Sequence, residues 1–180
     1  MSDVPFHQIA DQLQPLAFRV SDLTPDPANA RRHPHRNLEA IKASLSSYGQ
    51  RKPLVVRCEG FVVEAGNGTL EAAKALGWTH VAAVLVDDDP ITATGYAIAD
   101  NRTAELAEWD EQALSALLAE LQAEDLDLDA LGWSDDELSQ LLGSVPAFAP
   151  TSADDQHDLD QLSPKLCPHC GKDTRVAPEG

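Results

Sequence analysis

The chain has 180 residues, of which 43% are hydrophobic and 24% charged, and 13 Lys and Arg against 30 Asp and Glu leave a formal charge of −17. This composition allows one sizeable core with a small appendage and excludes wholesale disorder. No apolar run approaches the ~20 residues of a membrane span, and residues 1–10 lack the basic and apolar regions of a secretory signal, so the expected address is cytoplasmic.

In chain order, Leu16-Ala-Phe-Arg-Val20 has short β character and runs into Ser21 to Pro27, where two prolines and two Asp predict a turn. Asn37 is placed to cap a helix carrying Leu38, Ile41 and Leu45 at helical spacing and ending at Gly49. Pro53 to Arg57 and Phe61 to Glu64 are β-branched runs around Cys58-Glu59-Gly60, which predicts a hairpin. After Ala65-Gly66-Asn67-Gly68, Thr69 to Leu76 reads as a helix stopped at Gly77, and His80 to Val86 as a strand. Asp89 and Pro90 open a helix to about Ala104, Asp110 caps one bearing Leu114, Leu117, Leu118 and Leu121, and Ser134-Asp-Asp-Glu137 is a capping box with Trp133 and Leu138 as its staple. Beyond Gly143 the Pro, Ser, Ala and Asp of residues 144–164 read as a mobile linker.

The charge is unevenly divided. Residues 19–102 carry 10 basic and 10 acidic side chains, whereas residues 103–160 carry 16 acidic ones and no Lys or Arg. Because counterion release from phosphates by Lys and Arg drives DNA affinity, any DNA contact is expected within residues 19–102, on Arg31, Arg32, Arg51 and Lys52. A solvated basic face accounts for the same residues.

Three segments are candidates for chemistry. In Glu64-Ala-Gly66-Asn67-Gly68-Thr69 a strand enters a glycine turn that opens a helix, exposing N–H groups at the positive end of the helix dipole where a phosphate fits; a plain tight turn would use the same glycines. No Gly-Lys-Ser/Thr follows, so the turn is not a P-loop. Asp100-Asn101-Arg102 offers hard oxygen ligands for Mg²⁺ beside a forked phosphate donor, or simply a helix end with a solvated arginine. Cys167-Pro168-His169-Cys170-Gly171 has zinc-knuckle spacing but supplies half of a four-ligand site, leaving open a dimer that pools two pairs, a degenerate ribbon or an exposed dithiol.

The ordered series Asp22 to Arg31, Tyr48-Gly49-Gln50, Pro53-Leu-Val-Val, Gly66-Asn-Gly-Thr-Leu-Glu-Ala-Ala-Lys-Ala-Leu-Gly77 and Ala99-Asp-Asn-Arg102 resembles the ParB/sulfiredoxin-like N-terminal domain. The branch it is most similar to occurs in phage and mobile-element proteins beside DNA methyltransferases, where Ala-Asp-Asn-Arg is followed by a segment like Ala104 to Asp110. The resemblance implies a compact α/β (α+β) domain with a small mixed sheet over 16–105, ahead of an acidic helical extension (106–143), the linker and a Cys-x-x-Cys tail (165–180).

It also implies a nucleoside triphosphate ligand, CTP in the chromosome-partition branch and ATP in sulfiredoxin. Gly66, Asn67, Gly68 and Thr69 correspond to the box that cradles the triphosphate, Asn101 to the residue that helps hold Mg²⁺, and Arg102 to a phosphate contact. This chain has Asn67, Gly68 and Thr69 where partition proteins place Glu and consecutive arginines, and it has no Cys between Cys58 and Cys167 for sulfiredoxin chemistry. The acidic segment stands where partition proteins carry a DNA-reading helix-turn-helix. The resulting expectation is a nucleotide-binding protein acting in partition, modification or packaging of DNA. Alternatives are an enzyme of the same fold, a nucleoside triphosphatase, kinase or metal-dependent DNase, and a non-catalytic adaptor whose acidic helices meet a methyltransferase or another basic partner.

Overall fold

The computed structural model describes residues 6–126 and 128–143, the side chain of Asp129 excepted. Strands β1 (Ala17–Arg19), β2 (Thr24–Pro25), β3 (Leu54–Arg57), β4 (Val62–Ala65) and β5 (His80–Val86) form one mixed sheet in the order β1-β5-β3-β4-β2. The expected hairpin is present: β3 and β4 pair antiparallel, with Val56 opposite Val63, across residues 58–61. β3 then pairs parallel with β5, a connection that needs a crossover, and β4 with the helix α2 (Asn67–Ala75) supplies it.

Two expectations are corrected. Thr24 and Pro25, read as part of a turn, form a short parallel edge strand on β4, where proline's missing donor is harmless. Helix α1 (His35–Tyr48) starts at His35 after an extended Pro34, so Asn37 lies in its first turn and does not cap it. Gly49 ends α1 as expected, at φ +67, and a Cβ there would stand 2.7 Å from the Gln8 carbonyl oxygen.

The core lies between the sheet and two helices. Leu54, Val56, Val63, Val81 and Ala83 from the strands meet Leu45 of α1 and Leu70, Ala72 and Ala73 of α2, closed by Val20, Leu23 and Trp78. Gln50 is also buried, and it substitutes for a sheet neighbour: its Oε1 accepts from the Ala82 N–H (2.6 Å) and its Nε2 donates to the Ala82 carbonyl (2.9 Å). Strand alternation puts Glu64 on the face opposite Val63, where helix α3 (Pro90–Glu105) lies against β4.

The acidic segment folds as expected into α4 (Glu111–Ala123), capped by Asp110 on the Ala113 N–H, and α5 (Asp135–Gly143), with a 3₁₀ turn at Leu128–Leu131 between them. The Ser134 N–H donates to Glu137 Oε2 at 2.8 Å, closing the capping box. Leu118, Ala130 and Leu138 are buried, and Ser115 donates to the Leu141 carbonyl at 2.6 Å. The 3₁₀ turn packs on α1, close enough that a Cβ on Gly132 would lie 3.2 Å from that of Ala40. Among the described residues no helix is long and apolar enough to cross a membrane.

Candidate functional site

The junction of β4 and α2 is built around two glycines. Gly66 takes φ +97, and a Cβ there would collide with the Leu54 side chain. Gly68 leaves room for the His33 ring, whose Cε1 would lie 2.6 Å from an added Cβ. The first backbone bond of α2 runs from the Leu70 N–H to the Gly66 carbonyl at 2.9 Å, and no side chain caps the helix. The N–H groups of Asn67, Gly68 and Thr69 are therefore without helical partners, and all three residues line a cleft of about 220 Å³.

The Asn67 side chain is structural, a role its place in the glycine box did not disclose. Its Nδ2 donates to the Val63 carbonyl (2.9 Å) and its Oδ1 accepts from the Asp26 N–H (3.0 Å), tying the loop after β2 to the strand–helix junction. That loop forms the second wall. Asn29 accepts from the Arg31 N–H (3.0 Å), and Asn29, Arg31 and His33 line the cleft together with Lys52, which enters from the start of β3. His33 Nδ1 stands 2.7 Å from Asn37 Oδ1, which makes Nδ1 the donor and leaves Nε2 available.

Helix α3 supplies the third wall through Tyr96, Asp100 and Asn101. The Asn101 amide nitrogen donates back to the Ala97 carbonyl at 2.8 Å, leaving Oδ1 as its free ligand atom. Arg102 points instead to an adjoining groove of about 300 Å³, lined mainly by apolar atoms, that shares Asn29, Arg31 and Asn101 with the cleft. The remaining wall carries Glu64, buried at 4% exposure beside the Asp88 side chain. Burial, followed by the nearby Asp88, pushes its carboxyl above the ordinary range, while Arg57 opposes the rise. Burial also pushes the Tyr96 hydroxyl up, with Asp100 and Glu64 adding to it.

Of the residues singled out in the sequence, the structure gathers Gly66, Asn67, Gly68, Thr69, Asn101, Arg31 and Lys52 around one cavity and puts Arg102 beside it. Arg31 is also paired with Glu105, and Arg36 with Glu137. Arg32 and Arg51 are not among the lining residues; the Arg51 guanidinium lies over the Tyr48 ring at 5.4 Å. Asn29 and Tyr96 were missed. The turn Asp26-Pro-Ala-Asn29 held a signal for the first, whereas nothing in the sequence of helix α3 marks the second. Among the described residues no group of three or more His, Cys, Asp or Glu is placed to hold a metal. Cys167 and Cys170 lie outside the described residues.

Residues 112–169 match the family described as the ParB-methyltransferase HTH domain. α4 from its second residue onward and all of α5 fall within that stretch, which extends across residues that composition alone reads as linker. Among solved structures the chain is similar to the C-terminally truncated chromosome-partitioning protein ParB from Caulobacter crescentus complexed with CTP-γ-S, at TM-score 0.63 and 19% identity over 73% of this chain and 79% of that one. The same protein complexed to the centromeric parS site aligns at TM-score 0.41 and 17% identity, over 71% and 64% of the two chains. A Pnob8-like ParB-N domain aligns at TM-score 0.41 and 19% identity, over 61% and 44%. No curated protein matches the sequence. The chain thus has a ParB-like fold, and its residues 112–169 match the ParB-methyltransferase HTH domain.

Proposed function

We propose that the protein binds a nucleoside triphosphate in the cleft at the start of α2 and acts in DNA transactions such as partition, modification or packaging. The observation that carries this reading is the set of three N–H groups without helical partners on Asn67, Gly68 and Thr69, in residues that line one cleft with Arg31 and Lys52. A helix N-terminus with glycines at the point of approach is suited to phosphate, because its amides and dipole both favour an anion. The similar ParB from Caulobacter crescentus is complexed with CTP-γ-S, which supports a nucleotide as the guest. Asn101 Oδ1 and Asp100 are oxygen donors of the type that Mg²⁺ accepts alongside phosphates, and the cation would neutralise charge on the bound triphosphate. The match of residues 112–169 to a DNA-binding type of domain supports the role on DNA.

Calorimetric titration with CTP, ATP and GTP, with and without Mg²⁺, tests the reading. Saturable binding that weakens at least tenfold in Asn101→Ala and Lys52→Ala is expected, and no heat from any nucleotide at millimolar concentration would overturn it. A second reading, a non-catalytic adaptor, is favoured by one observation: residues 103–160 carry 16 acidic side chains and no Lys or Arg. Salt-sensitive binding to a basic protein, unchanged by nucleotide, would select it.

A further inference from the structure

His33 lines the cleft with one ring nitrogen committed and the other not. The ring packs on Gly68 so closely that a Cβ there would lie 2.6 Å from Cε1 and 3.0 Å from Nε2, which seats the imidazole against the first turn of α2. The formal charges lining the cleft are Arg31 and Lys52 against Glu64 and Asp100, and Arg31 is also paired with Glu105. On its other side His33 borders a hollow of about 210 Å³ where Asp26 and Glu71 stand against Arg31 and Lys74. Fixed acids and bases are thus balanced on both sides of the ring. A highly charged anion gains a net cationic field here only if the imidazole supplies it.

The hydrogen bond to Asn37 decides what the second nitrogen offers. Asn37 Oδ1 accepts from Nδ1 at 2.7 Å, so in the neutral ring the one proton sits on Nδ1 and Nε2 carries a lone pair. Phosphate oxygens are acceptors, and a lone pair facing them is repelled. A second proton turns Nε2 into a charged donor while the bond to Asn37 stays in place. We propose that His33 holds the phosphates as an imidazolium, so that ligand binding at α2 carries one proton from solvent onto Nε2. The inference rests on the nucleotide reading above. One N–H bond forms at Nε2, water or buffer gives up the proton, and no other covalent bond changes. The bound anion stabilises the new charge, because an opposite charge nearby favours the protonated ring. The cleft therefore holds its ligand more tightly as the pH falls.

The test is calorimetric titration of the full chain with CTP, ATP, GTP and inorganic tripolyphosphate, Mg²⁺ present, from about pH 6 to about pH 8. Repeating each titration in buffers of different ionisation enthalpy counts the protons taken up on binding. Phosphates and the carboxylates of the cleft also exchange protons, so His33→Gln, which keeps a neutral donor but cannot take a proton, sets the background. The wild type should take up more protons than this variant and lose about tenfold more affinity across the same pH range. Long-range proton–nitrogen magnetic resonance of the wild type reads the ring itself. Nε2 should pass from its lone-pair to its protonated signature as tripolyphosphate saturates the cleft. Thermal melts check that His33→Gln folds, and the ring spectrum does not depend on it. Equal proton uptake with parallel pH profiles in the two proteins overturns the inference while leaving the nucleotide site standing. So does an Nε2 that keeps its lone pair at saturation. Silence from every probe at every pH, tripolyphosphate included, overturns the nucleotide reading itself.

Discussion

The cleft and the acidic helices treat polar groups in opposite ways. Around the cleft, polarity is left unsatisfied: three amides at the start of α2, in residues that line the cavity, have no helical partners. In the acidic helices the local polar groups are satisfied within the fold. Asp110 caps α4, Ser134 and Glu137 cap α5, and Glu137 reaches back to Arg36. Amides left without helical partners at a helix start suit an anion that arrives later. The acidic helices need no ligand to complete them, and what they present is net negative charge.

The largest effect expected from breaking this contrast comes from the glycine turn. Gly66→Ala forces a side chain into a left-handed conformation against Leu54, and it should cost about 2–4 kcal/mol in chemical denaturation as well as nucleotide binding. Next is Leu118→Ala in α4. Leu118 is 2% exposed, so its truncation should cost about 2–4 kcal/mol locally, with amide exchange rising in α4 and α5 while the cleft still binds ligand. If exchange rose equally in β3 and β4, the two regions would be one cooperative unit.

Glu64 gives the contrast a pH dependence. Its carboxyl is raised by burial, so the folded state holds a proton that the unfolded state releases. Stability should therefore fall as pH rises from the ordinary carboxylate value through the elevated one, and thermal melts of Glu64→Gln should lack that fall and lie higher at neutral pH. Glu137 has the opposite sign. Hydrogen bonds from Ser134 and Arg36 hold its carboxyl down at about 2, so its contribution is complete above the ordinary range and is lost as acid takes the pH down through about 2. Because the group is exposed, the effect should be the smallest of the set, a shallow low-pH loss of helix by circular dichroism that is absent in Glu137→Gln.

Much of this architecture is legible in the chain because its signals are local. The β-branched runs give β3, β4 and β5; Asp89, Asp110 and Ser134 mark helix starts; and the glycines stand at the strand–helix junction that marks the site. The illegible parts depend on contacts distant in sequence. Asn67 bonds Asp26 across 41 positions, and Arg31 and Arg36 find Glu105 and Glu137 across 74 and 101. A basic cluster that looks available for DNA is thereby partly neutralised within the molecule. Asn37 illustrates a local signal overridden, for Pro34 begins the helix earlier and His33 takes the asparagine side chain. The burial of Glu64 is of the same kind: alternation along β4 puts it under α3, a helix whose position the strand itself does not encode.

Whether the open amides of α2 receive phosphate is decided by nuclear magnetic resonance. Backbone amide shifts of isotopically labelled protein would be followed while CTP, then inorganic tripolyphosphate, is added with Mg²⁺. Saturable shifts of the Asn67, Gly68 and Thr69 amides are expected with both ligands, larger than those anywhere in α4 or α5. Shifts confined to the acidic helices, or none at millimolar ligand, would contradict it.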